Sequence, residues 1–120
     1  IGRTVIYLIP TAQAHNALRK MIYNKEMPGM TDQGELFRDF IGHPTVPVVA
    51  LNAYLHFAVM YGVSPVGLPQ PDIFINPPAS IRAGYKEEWK NPELNKKLQE
   101  LAWKTVTEYA PSYVKAPEKK

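Results

Sequence analysis

Cysteine is absent from the chain, which excludes disulfides and thiolate metal sites without fixing a compartment. No basic block with interleaved aromatics occurs. The net charge of +3 owes part of its excess to Lys119 and Lys120 at the very end, so nucleic acid is not expected as a partner. No long hydrophobic run occurs either. The longest, residues 46–59, contains Asn52, Tyr54 and His56 and is too short and too polar to span a bilayer. The opening Ile1-Gly2-Arg3-Thr4 shows neither methionine nor a signal-peptide pattern and leads almost at once into a strand-like run. The expectation is therefore a chain made by cleavage or truncation. No internal repeat is found.

What remains is a mixed, globular composition, 45% hydrophobic and 21% charged with both signs interspersed, in 120 residues. That bounds the chain to at most one small domain. The 12 prolines gather mainly in residues 65–78 and toward the C-terminus, so they read as loop and tail rather than as a disordered chain.

Thr4-Val5-Ile6-Tyr7-Leu8-Ile9 is β-branched and nearly all apolar, as in a parallel strand buried on both faces. Pro10 ends it, and Thr11 is placed to cap a helix with apolar positions Ala14, Ala17, Leu18, Met21 and Ile22. A strand leading into a helix is half of a βαβ unit, and no second convincing strand is present, so the rest of a sheet is expected elsewhere. Thr31 or Asp32 starts a short helical turn through Leu36 and Phe37. Pro47 opens a long helix over residues 48–61 that Gly62 stops. Its apolar residues nearly encircle it, which again calls for more protein around it. Residues 63–90 are proline-rich and irregular. Asn91 as cap and Pro92 at the first position open a final helix with the stripe Leu94, Leu98, Leu101, Ala102, Thr105, Val106 and Tyr109.

The chemistry-bearing candidates are Asp39 and His43, in "LFRDFIGHPT". A serine hydroxyl is a weak nucleophile. It needs an imidazole to take its proton and a carboxylate to fix the imidazole's tautomer and stabilise its charged form. The plain alternative has Asp39 capping the loop and His43 packing beneath the following helix. His15 reads as a surface or flank residue and His56 as a satisfied boundary residue. The three histidines have no metal-ligand spacing, so no metal and no cofactor is expected. Trp89, Trp103, Tyr85 and Tyr109 suit core or interface anchors better than a sugar-binding face. The Lys and Glu residues of 86–104 read as a solvated face.

"LFRDFIGHP" followed by "NAYLHFAVMYGVSPVGLP" resembles the C-terminal part of the SGNH (GDSL-like) hydrolase superfamily in one bacterial branch. "VIYLIPTAQAHNAL" is similar to the strand and helix that precede that block, so the resemblance covers about residues 4–69. "LNKKLQELAWKTVTEY" is similar to the tails of some bacterial members. The resemblance implies an α/β class, the C-terminal portion of a three-layer α/β/α domain in residues 1–70, with residues 71–120 as a connection, amphipathic helix and extended tail. It implies His43 as general base and Asp39 as orienting acid. The family spacing is Asp-x-x-His, whereas this chain has Asp-x-x-x-His, so Asp39 either bonds the ring through a bulged turn or holds the loop's amides. The family's Gly-Asp-Ser nucleophile block and its oxyanion-hole glycine and asparagine are absent. Ser64, Ser80 and Ser112 lie in proline-rich or tail context without a strand-to-helix turn.

The expectation is thus a fragment or subunit of a serine ester hydrolase, with an acylated carbohydrate as one plausible substrate. The serine would come from an N-terminal part of the same domain or from a separate chain, in an oligomer or complex. The alternative is a non-catalytic assembly subunit with an SGNH-like fold. The family resemblance alone favours a periplasmic or secreted protein.

Overall fold

The computed structural model describes residues 8–39 and 42–115, and they form a helical domain. Three α-helices carry it: α1 (Thr11–Tyr23), α2 (Val46–Tyr61) and α3 (Pro92–Glu108). Five short 3₁₀ turns punctuate the connections. The α/β/α expectation is therefore corrected: among the described residues there is no strand and no sheet, only an isolated antiparallel bridge between Phe37 and Pro44. Of the expected strand over residues 4–9, Thr4 to Tyr7 lie outside the described residues. Leu8 and Ile9 join no ladder, and the Leu8 amide donates instead to the Pro111 carbonyl at 3.0 Å.

The physical reason for the difference lies in α2. Its buried face is covered without a sheet, while Ala53, His56, Met60 and Tyr61 stay exposed. α3 packs along it, α1 touches another side, and the irregular segment between α2 and α3 supplies the rest. That segment reads as loop in sequence, yet Pro65, Phe74, Pro77 and Trp89 are buried. Tyr85 stacks edge-on against Trp89 with ring centroids 5.8 Å apart, and its hydroxyl donates to the Phe74 carbonyl. Trp89 is thus a core anchor rather than a sugar platform. Its indole Nε1 is buried with no hydrogen-bond partner among the described residues.

The helix boundaries follow local chemistry. Pro47 sits in the first turn of α2, and Gly62 closes it in the left-handed region at φ 65°, its amide reaching the Ala58 carbonyl at 2.9 Å. Asn91 caps α3 by accepting the Glu93 amide at 3.0 Å. At α1 the expected Thr11 cap is shifted, with Pro10 at the cap position and Thr11 inside the helix.

A buried polar network fastens the loop after α2. Tyr54 on α2 donates to Asn95 Oδ1 on α3. The Gln99 amide nitrogen donates to the Tyr54 hydroxyl at 3.2 Å and to the Leu68 carbonyl at 2.9 Å, while its oxygen accepts the Gly67 amide at 3.1 Å. Burial pushes the Tyr54 phenol above its ordinary 10.0, against the two amide bonds that pull it down. Gln99 thereby replaces the backbone partners that an irregular loop lacks.

A second tether crosses from the 3₁₀ turn Gln33–Leu36 to the segment before α3. Lys86 Nζ lies 2.7 Å from Oε1 of Glu35, whose other oxygen is buried with no partner among the described residues. The hydrogen bond to Glu35 raises the Lys86 ammonium above its ordinary 10.5.

Two predictions follow from these contacts. Gln99→Ala strands the Gly67 amide and the Leu68 carbonyl and should lower stability by about 2–3 kcal/mol in urea unfolding, with faster amide exchange at Gly67. Lys86→Met leaves the Glu35 carboxylate buried and unpaired. With the ammonium half in solvent, the loss should be about 1–2 kcal/mol at neutral pH. Because the folded-state value is raised, the wild-type contribution is complete below 10.5 and disappears as the pH climbs past the raised folded value; urea midpoints across alkaline pH should show that slope flattened in the variant.

Candidate active site

The loop between the 3₁₀ turn Gln33–Leu36 and α2 carries both predicted residues. Its two arms pair as the start of an antiparallel hairpin. The Thr45 amide donates to the Leu36 carbonyl at 3.1 Å and the Arg38 amide to the His43 carbonyl at 2.9 Å. Phe37 and Pro44 are thereby opposed. Thr45 does not spend its hydroxyl on capping α2. It donates instead to the Glu35 carbonyl at 2.6 Å, which locks the base of the loop to the preceding turn.

The carboxylate of Asp39 then serves two purposes at once. Oδ1 accepts the His43 backbone amide at 3.1 Å, and Oδ2 accepts the His43 ring Nδ1. The two readings of Asp39 left open by its spacing are both realised, on separate oxygens. Just before His43, Gly42 adopts φ 89°, a left-handed conformation that side chains disfavour.

A neutral imidazole that donates from Nδ1 keeps its lone pair on Nε2. This is the orientation a general base requires. The pair lies open: the His43 side chain is 51% exposed and that of Asp39 35%. His43 is not packed beneath α2, as the plain alternative had it. An exposed pair of this kind contributes about 0–1 kcal/mol by itself, so backbone pairing must hold most of the geometry.

The other candidates are placed elsewhere. His15 Nε2 bonds Asn52 Oδ1 at 2.8 Å, linking α1 to α2, and exposed His56 donates from Nδ1 to the Asn52 carbonyl at 2.7 Å. Among the described residues no cluster of three or more His, Asp or Glu is arranged to hold a metal ion. Ser112 is buried and donates to the Val106 carbonyl at 2.7 Å; Ser64 accepts the Val66 amide at 3.2 Å. Among the described residues no serine hydroxyl bonds the His43 ring. No described helix is long and apolar enough to cross a membrane.

Two concavities lie away from this loop. A groove of about 460 Å³ between α1 and α3 has Ala17, Met21 and Leu101 among its lining, with lysines and glutamates around them. A second, of about 440 Å³, is bounded by Ile9, Val59, Met60, Tyr61, Gly62, Tyr113 and Val114 at the C-terminal end of α2. Sequence reasoning missed the buried Asn95 and Gln99. The available signal was two amides four residues apart, beside the apolar stripe of α3. No protein-family model, no curated protein and no solved structure matches the chain.

The turn itself is testable. A Cβ at residue 42 would meet no atom within 4 Å, so Gly42→Ala bears a purely conformational penalty. It should lower stability by about 1–2 kcal/mol and unprotect the His43 amide in hydrogen exchange, with α3 amides keeping their protection in proportion to global stability.

Proposed function

We propose that the Asp39–His43 loop is the acid–base half of a serine ester hydrolase centre, completed by a nucleophile and oxyanion hole outside these residues. One observation carries the reading: the Asp39 carboxylate bonds the Nδ1 edge of an outward-facing imidazole. In this mechanism Nε2 of His43 takes the proton of a serine hydroxyl as the serine oxygen attacks the ester carbonyl. The imidazolium, stabilised by Asp39, returns that proton to the departing alcohol. Water then enters, and His43 repeats the exchange to release the acid and restore the serine. The substrate class is an acyl ester, with an acetylated carbohydrate suggested by the resemblance to SGNH hydrolases alone.

A second reading, a non-catalytic assembly subunit, draws on a different feature. Met60, Tyr61 and Tyr113 are 70%, 68% and 61% exposed around the groove at the end of α2. Large apolar side chains gathered at one site are a common mark of a docking surface.

The test uses the native protein or complex that contains this sequence, assayed with p-nitrophenyl acetate and an acetylated sugar. The hydrolase reading expects a serine outside the chain to react with a fluorophosphonate. It also expects His43→Ala to lower kcat by about 10³-fold or more, and Asp39→Asn to lower it substantially. Activity unchanged by His43→Ala, or no hydrolysis at all, would overturn it. Loss of complex assembly in Tyr61→Ser, with no esterase activity in the wild type, is the result the assembly reading expects.

A further inference from the structure

We propose that Arg38 is the positioning residue for His43, clamping the backbone that carries the imidazole so that Asp39 can select its tautomer. The proposal rests on the reading of His43 as general base. The loop bears a difficulty that the Asp39–His43 pair does not solve alone: both side chains are partly in solvent, and Gly42 at φ 89° relieves the turn of steric restraint. The Asp39 bond to the His43 amide holds one side of that peptide, and its carbonyl side must be held as well while the ring gains and loses a proton.

Arg38 does this from two atoms. Its backbone amide donates to the His43 carbonyl at 2.9 Å, and its side-chain Nε donates to the next carbonyl, that of Pro44, at 3.2 Å. With Phe37 opposed to Pro44, the register sets Arg38 opposite His43. Its half-buried side chain therefore reaches across the hairpin to the residue beyond its own partner. Two successive carbonyls fixed from one residue leave the His43 peptide little freedom to rotate. A guanidinium is planar and stays protonated wherever an imidazole titrates, so the clamp does not open when His43 changes charge.

The test reads the ring nitrogens of His43 by NMR in the ¹⁵N-labelled chain, at a pH where the imidazole is neutral. Wild type should be predominantly Nδ1–H. Arg38→Met keeps the stem and backbone amide but removes the side-chain donor. It should raise the Nε2–H form several-fold while α2 and α3 amide signals stay in place, and Arg38→Lys should recover part of the wild-type ratio. A wild-type ratio in Arg38→Met overturns the proposal. Should that variant fail to fold, exchange of the Arg38 Nε proton in wild type decides. Exchange slowed relative to the urea-unfolded chain supports the clamp, and equal exchange overturns it. Neither readout involves hydrolysis. A failed clamp therefore leaves the acid–base reading standing, and a failed esterase assay leaves the clamp standing.

Discussion

The rest of the domain is organised by the need to cover α2. A helix with Val46, Val48, Leu51, Leu55, Ala58 and Val59 buried presents a broad apolar face to the domain and leaves Ala53, His56, Met60 and Tyr61 to water. One partner helix covers a stripe narrower than that face. α3 takes one side and α1 touches another, and the remainder falls to a segment with no helix longer than a single turn. That segment must bury Phe74 and Trp89 while keeping its own peptide groups satisfied. The Gln99 amide and the Tyr85 hydroxyl act there as substitutes for backbone partners.

The same constraint reaches the candidate site. Because Val46 and Val48 are fully buried, the N-terminus of α2 is fixed in the core, and Thr45 immediately before it is fixed too. The Thr45 hydroxyl and amide then hold Glu35 and Leu36 on the opposite arm, so the hairpin begins from two anchored ends. Asp39 and His43, farther along the two arms, are partly exposed. A rigid base under an exposed tip suits presentation of a reactive group to another surface, since side-chain precision comes from the backbone rather than from surrounding packing.

Legibility in sequence followed the range of the interactions. The long helices were readable because their signals are local: Pro47 and Gly62 bound α2, Asn91 and Pro92 open α3, and the stripe Leu94, Leu98, Leu101, Ala102 and Val106 is buried as its spacing implies. The Asp39–His43 contact was readable as a possibility, while its geometry depended on the φ of Gly42 and on arm pairing between residues 36–38 and 43–45. What failed was the α/β/α class. The strand-like run over residues 4–9 pointed to a sheet, while residues 63–90 lack periodicity and carry no sign that Phe74 and Trp89 reach the core. Burial by irregular chain leaves no pattern of period two or three to six, and tertiary packing decided the matter.

The exposure of His43 bears on what the loop can do by itself. Half in water, an imidazole–carboxylate pair has its electrostatics screened, and proton transfer to it competes with solvent. A serine hydroxyl brought from another surface would change both conditions at once: it would fill the position beyond Nε2 and expel the water that weakens the Asp39 contact. On this argument the openness of the pair is consistent with a half-site rather than a defect in one. Under the proposed function, the pairing with Asp39 would select the tautomer before a nucleophile arrives, and the backbone that carries the ring would meet the entropy of ordering it in advance. A completing surface of the proposed kind would have to set a hydroxyl within hydrogen-bond reach of Nε2 and leave the Asp39 bond intact.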